Sequence, residues 1–296
     1  MTEVRDKVKL TTLLGNYPGT AALKRGDIRS PLIEFDYADV KVSNTQFKPL
    51  VRESKYDFGE LAIVTFLQAK AYGKPYVLMP AVVMSRGQHH TIFYNAARGK
   101  LAPGDLAGKR IGVRAYPVTT ATWVRGILAE EYGFDPDSAR WLTFEDGHLA
   151  EYRDPANATR ARAGKEMAQM LLDGELDAAI LGDKSPDPRL QPLIPNAEDA
   201  ERKWAERHRA VPVNHFMVVK QSIVQTRPDL VKEVYRMLRA SRDRLPPGAE
   251  RDALPFGLEA NRRPLEIIID YALKQRVIPR RFAVEELFDD TTRALA

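Results

Sequence analysis

Gln88-His89-His90-Thr91-Ile92-Phe93-Tyr94-Asn95 and, far downstream, Val211-Pro212-Val213-Asn214-His215-Phe216-Met217-Val218-Val219-Lys220 read as two strands that bracket the middle of the chain. Each follows a polar stretch and carries histidine near its start. The segment between them alternates strand-like and helix-like runs, as a self-contained α/β unit does. A chain that leaves one lobe on the first strand and returns on the second makes the pair a hinge. Residues 1–88 with 216–296, including the C-terminal helices, then form one lobe, and residues 89–215 the other. His90 and His215 are expected to flank a cleft between the lobes. Alternation along a strand sends His89 and His90 to opposite faces, with His90 toward the cleft and His89 structural.

Working outward, the first lobe starts with an apolar strand, Lys9 to Leu14, ending in the turn-rich loop Gly15-Asn16-Tyr17-Pro18-Gly19. Leu32 to Val40 alternates apolar and polar residues like a half-buried strand. Glu60 to Tyr72 carries apolar residues at helical spacing and is stopped by Gly73-Lys74-Pro75. Tyr76 to Val83 is the near-continuous apolar run of a buried strand. In the second lobe, strands are predicted over Arg110–Arg114, Trp141–Phe144 and Leu176–Leu181, with a helix from Thr119 to Tyr132 stopped by Gly133. The C-terminal third reads as helices from Pro228, Pro264 and Ala283, with Pro246 to Asn261 as a linker. This alternation predicts parallel sheets with helices on their faces, where ligands bind beyond the carboxyl ends of strands.

Several side chains fall at or near such ends. Thr119 and Thr120 open a helix after a strand, so they serve as a carboxylate-holding turn or as simple N-caps. Arg114 suits a bidentate pair with a carboxylate, or a surface ion pair. Trp123 on the same helix is an aromatic platform or, more simply, core packing. His90 and His215 supply the group best suited to moving protons near neutrality. Glu145-Asp146-Gly147-His148 combines carboxylates with imidazole, but its spacing matches no metal signature; no metal site is assigned, and a divalent ion stays compatible with the chain.

Composition narrows the classes. The chain has 296 residues, 44% hydrophobic and 29% charged, with a net charge of +5 and no cysteine. Disulfides, thiolate metal sites and cysteine nucleophiles are therefore excluded. The positive excess is dispersed, as on a solvated surface or around a cleft that attracts an anionic ligand. No phosphate loop, dinucleotide fingerprint, zinc-protease motif or nucleophile elbow occurs, so nucleotide cofactors and acyl-serine chemistry have no support. Nothing near the start has the ~7–15-residue apolar core of a secretory leader. No run approaches the ~18 apolar residues of a membrane span. The expectation is a cytoplasmic protein without nucleic-acid or membrane partners, compatible with a homo-oligomer.

With those residues in hand, the chain resembles the 4,5-dihydroxyphthalate decarboxylases and their relatives. The resemblance rests on Tyr56-Asp57-Phe58-Gly59-Glu60-Leu61, Ser85-Arg86 followed by His90, and Thr119 to Gly126 with Trp123-Val124-Arg125-Gly126. Trp141-Leu142-Thr143, Pro212 to His215 and Ala272-Leu273-Lys274-Gln275 also fit, while His89 and Thr120 depart from the pattern. It implies a two-lobed α/β fold of the type 2 periplasmic-binding-protein class. It also implies cofactor-free decarboxylation of a hydroxylated aromatic carboxylate. For that chemistry His90 and His215 are taken as acid and base, and Glu60 as an orienting or relaying carboxylate. Arg86, Arg114, Thr119, Thr120, Trp123 and Tyr17 are taken as binding residues. The rival reading is a solute-binding protein of an uptake system with the same fold and no chemistry.

Overall fold

The computed structural model describes residues 7–183 and 185–296, so the extreme N-terminus weighed above as a leader lies partly outside the described residues. Its strands are β1 (Val8–Leu13), β2 (Ile33–Tyr37), β3 (Phe58–Ala62), β4 (Tyr76–Ser85), β5 (Ile92–Asn95), β6 (Arg110–Val113), β7 (Arg140–Thr143), β8 (Ala158–Arg160), β9 (Ala178–Ile180), β10 (Leu190–Pro192) and β11 (Val213–Lys220). They form a five-stranded sheet in the order β2-β1-β3-β11-β4 and a six-stranded sheet in the order β10-β5-β9-β6-β7-β8. The chain divides into two compact units. The first comprises Met1–Arg86, Val213–Glu266 and Arg280–Ala296; the second comprises Gly87–Pro212 and Ile267–Pro279.

In the first unit β1 runs parallel to β2 and β3, and β11 lies antiparallel between β3 and β4. Strand β3 is buried along its whole length, which a central strand covered on both faces requires. Leu10, Phe58, Met79 and Met217 form one core with Val231, Val234 and Leu238 of the helix Pro228–Arg242. Pro80 lies inside β4, at the edge of the sheet, where a missing N–H is tolerated. Opposite it the β11–β4 register slips repeatedly between Val213 and Val218. Such bulges bend a strand and re-aim its side chains. His215 sits within that irregular stretch.

In the second unit β9, β6, β7 and β8 are parallel, and β5 is antiparallel to β9. The helix Thr119–Tyr132 follows β6 and ends where Gly133 takes a left-handed conformation, φ 65°. Among the described residues no helix is long and apolar enough to cross a membrane.

Four expectations need correction. Gln88–Asn95 is not one strand: Thr91 donates to the Gln88 carbonyl through both its N–H (3.1 Å) and its hydroxyl (2.7 Å). That closes a 3-10 turn over His89–Thr91, and β5 starts only at Ile92. Strand alternation therefore does not set the directions of His89 and His90. The chain passes from the first unit to the second after β4 and returns on β11, so β4 takes the place expected for Gln88–Asn95. Glu60 belongs to β3 and not to the following helix, which begins at Ile63. The helix expected from Pro264 begins at Leu258 and keeps Pro264 inside it, with Leu265, Ile268 and Ile269 buried. Its last turns, from Ile267, cluster with the second unit instead of the first.

Candidate functional site

Glu60 is completely buried in the central strand of the first unit. An isolated carboxylate there would cost several kcal/mol, on the order of the effective penalty for a buried ion. The fold answers with donors. Tyr17 Oη donates to Glu60 Oε1 at 2.6 Å, Ser43 Oγ to the same oxygen at 2.6 Å, and the Gly15 N–H to Oε2. His215 Nδ1 lies 2.8 Å from Oε1. Burial alone pushes the Glu60 carboxyl upward, but the hydrogen bonds and charge of His215, with those of Ser43 and Tyr17, hold it below the usual carboxylate range. It is therefore an ionised acceptor, and His215 donates to it from Nδ1.

Strand register explains the convergence. Met217 is opposite Glu60 on the antiparallel β11, so His215, two residues away, is its diagonal neighbour on the same face. On the other side β1 pairs with β3 through Thr12–Phe58 and Leu13–Gly59, which brings the chain just past β1, at Gly15, alongside Glu60. Gly15 leaves room for the Tyr17 ring: a Cβ there would come to 2.5 Å from it and displace it. Tyr17 caps the short helix Pro18–Lys24, its N–H bonded to Thr20 Oγ1 at 2.9 Å. Burial and the adjacent Glu60 charge raise its phenol well above the ordinary value, so it stays a donor. Phe47 meets the His215 ring edge-on, with centroids 5.2 Å apart. The imidazole is thus fixed in tautomer and plane, and only Nε2 remains to exchange a proton with a ligand. A carboxylate that aligns an imidazole while leaving its other nitrogen open is the arrangement of a general acid–base catalyst.

His90 occupies different ground, in the second unit. Its Nε2 is 3.3 Å from Asp183 Oδ1 and its Nδ1 4.0 Å from Glu201 Oε2. Asp183 lies just beyond β9, and Glu201 is on the helix Ala197–His208. His89 is buried with neither ring nitrogen hydrogen-bonded, and its edge faces Trp204. Burial, aided by His90, pushes His89 down to about 4, so it packs as a neutral ring.

The other predicted residues separate. Tyr17, Glu60 and His215 come together. Arg86 is the partly buried last residue of the first unit's opening segment. Arg114 pairs with Glu145 at 3.0 Å, and Asp146 of the same loop pairs with Arg160. Among the described residues no group of three or more His, Asp or Glu side chains is placed to hold a metal ion. Thr119 and Thr120 open their helix, but the cap position is Val118, so neither threonine is the N-cap. Trp123 is fully buried, edge-on to Trp204 and Tyr271, and is core, not a platform. Sequence reasoning missed Ser43 and Gly15. Ser43 carries no motif; Gly15 was visible only as a turn residue.

A curated relative from Comamonas testosteroni, named 4,5-dihydroxyphthalate decarboxylase, is 28% identical over 236 residues, covering 75% of this chain and 71% of its own. One of the same name from Pseudomonas putida is 27% identical over 215 residues, covering 68% and 83%. The chain is similar to the 4,5-dihydroxyphthalate decarboxylases. No family model matches it. Among solved structures, the alkanesulfonate-binding protein SsuA from Xanthomonas axonopodis pv. citri covers 96% of this chain and 98% of its own, with a TM-score of 0.58 at 15% identity. The periplasmic aliphatic sulphonate binding protein SsuA from Escherichia coli covers 96% and 97%, with a TM-score of 0.61 at 11% identity. The fold is the mixed α/β, type 2 periplasmic-binding-protein-like one.

Proposed function

We propose that the chain decarboxylates a hydroxylated aromatic carboxylate, with 4,5-dihydroxyphthalate as substrate and protocatechuate as product. The observation that carries this reading is the Glu60–His215 pair: a buried, ionised carboxylate holding one imidazole nitrogen and leaving the other for a ligand. The name of the relatives supplies the substrate class.

The chemistry asks for little beyond proton handling. A base removes the phenolic proton para to the departing carboxylate, which pushes electron density into the ring. An acid adds a proton to the ring carbon bearing that carboxylate, giving a keto form. The carbon–carbon bond then breaks, its electron pair restores the aromatic ring, and carbon dioxide leaves. His215 Nε2 is suited to either proton step, because Glu60 keeps the ring aligned while the charge on it changes. The carboxylate that stays on the ring needs a cation or a turn of N–H groups, and Arg86, Arg114 and Thr119 are the candidates that the sequence offers.

The second reading is a protein that binds a small anion without turnover, and the sulfonate-binding proteins that share its fold favour it. One experiment separates the two: incubate the purified protein with 4,5-dihydroxyphthalate and follow carbon dioxide and protocatechuate. Enzyme-dependent release of both supports the decarboxylase; calorimetric binding with no product supports the carrier.

A further inference from the structure

The decarboxylase reading assigns His90 a proton-handling role without saying what sets it up. A carboxyl group stands at each of its ring nitrogens. Asp183 is more than half exposed, with its side chain at 56%, and lies within hydrogen-bond distance of Nε2. Glu201 lies on the Nδ1 side, its side chain 31% exposed. A second observation shows that the chain is shaped around Glu201. Gly87 leaves the space that its carboxyl group fills: a Cβ at residue 87 would sit 1.5 Å from Oε2 and 1.9 Å from Oε1. A side chain at residue 87 would therefore push the Glu201 carboxyl group aside.

We propose that Asp183 and Glu201 are positioning residues for His90, Asp183 fixing the Nε2–H tautomer and Glu201 acting as the proton store that refills the ring through Nδ1. The relay balances. The Nε2 proton gives up its hydrogen bond to Asp183 and moves to the ring carbon of the substrate as Nδ1 takes the Glu201 proton. The electron pair of the broken carbon–carbon bond stays with the aromatic ring, and the carboxylate departs as carbon dioxide. Water gives one proton to Nε2, the hydroxide left combining with the released carbon dioxide as bicarbonate, and Nδ1 passes its proton back to Glu201. The 4.0 Å gap between Nδ1 and Glu201 suits one small side-chain rotation or a bridging water. Burial raises the Glu201 carboxyl, with His90 opposing the effect and Glu198 adding to it. His89, next in the chain, stays neutral, so it adds no charge.

The use of the relay rests on the decarboxylase reading, but the arrangement around His90 does not, and the test keeps the two apart. Nitrogen-15 NMR of the full chain, with the His90 signals assigned through His90→Asn, should show the Nε2–H tautomer, and Asp183→Asn should shift the population toward Nδ1–H. Carbon-13 NMR should find Glu201 titrating above the ordinary glutamate range and Gly87→Ala returning it there. A tautomer indifferent to Asp183→Asn, or a Glu201 titration indifferent to Gly87→Ala, overturns the proposal whether or not the protein turns over substrate. If wild type releases carbon dioxide, Glu201→Gln should lower kcat about tenfold with KM within about twofold and alter the pH profile, the size expected for part of a general-acid contribution. Gly87→Ala should copy that effect. Should the glycine variant not fold, the Glu201→Gln profile decides; wild-type kcat and pH profile in that variant overturn the relay. Absence of turnover in wild type defeats the decarboxylase reading and the relay with it, and leaves the positioning to the spectra.

Discussion

His215 meets one carboxylate, which the fold has buried and surrounded with donors; His90 meets two, both in contact with solvent. Around Glu60 every partner is a fixed part of the first unit: a strand residue, a 3-10 turn serine, a helix-capping tyrosine and a glycine N–H. Hydrogen bonds to a charged acceptor of this kind are worth ~1.5–3 kcal/mol each. The ring of His215 is correspondingly held in place. Around His90 the partners are a post-strand loop and a helix surface, in higher dielectric, where an ion pair is worth ~0–1 kcal/mol. The difference assigns the roles. A locked imidazole with one open nitrogen suits chemistry on a ligand, and an imidazole with both nitrogens attended suits proton supply.

Substitution of the two histidines tests that contrast most severely. His215→Asn is expected to lower kcat ~10²–10⁴-fold, the usual span of a general acid–base contribution. His90→Asn, which removes the acid of the proposed relay, is expected to lose ~10²-fold, the low end of that span. Equal losses in steady-state assays would erase the distinction. Next in size is stability. Glu60→Ala breaks the buried Glu60–His215 pair and leaves its donors facing a cavity, so urea unfolding should register a loss of ~3–5 kcal/mol. Asp183→Ala should cost under about 1 kcal/mol, as for an exposed pair.

The two glutamates should respond to pH with opposite sign. Glu60 titrates lower folded than unfolded, so its stabilisation is present above the unfolded value of ~4.3 and is lost as pH falls through its folded value. Glu201 titrates higher folded than unfolded, so its contribution is full below ~4.3 and disappears as pH rises through its folded value. Chemical unfolding at neutral pH should therefore find Glu60→Gln less stable than wild type, with the gap closing in acid. Glu201→Gln should be as stable or more so, its advantage appearing as pH rises. The same sign for both would break the comparison. A smaller effect is expected at Gly15→Ala, where the added methyl displaces Tyr17: ~1–3 kcal/mol of stability, as for an overpacked site, and a weakened hold on Glu60.

Much of the scaffold was legible because periodicity and breakers agreed. The helix Thr119–Tyr132 and its Gly133 stop were read residue for residue, and β11 to within two residues at its start. Where local signals conflicted with burial, the reading failed. Glu60 looked like a helix start because Leu61, Val64 and Leu67 follow at helical spacing, yet Phe58 to Ala62 is buried on both faces as strand. At Gln88–Asn95 an apolar run hid a turn that Thr91 closes onto Gln88. The short strands β8 and β10 lie in Pro- and Arg-rich segments and show no alternation to detect. At the site, the titratable residues could be guessed from their chemistry. Ser43 could not, since only the fold brings it 2.6 Å from a carboxylate so far along the chain.

The most direct test of the account is a single-turnover measurement with 4,5-dihydroxyphthalate, wild type against His215→Gln, reading bound substrate by calorimetry and carbon dioxide in the same preparation. The account predicts that both proteins bind and that only wild type releases carbon dioxide and protocatechuate at an appreciable rate. Carbon dioxide release from His215→Gln at the wild-type rate would contradict it.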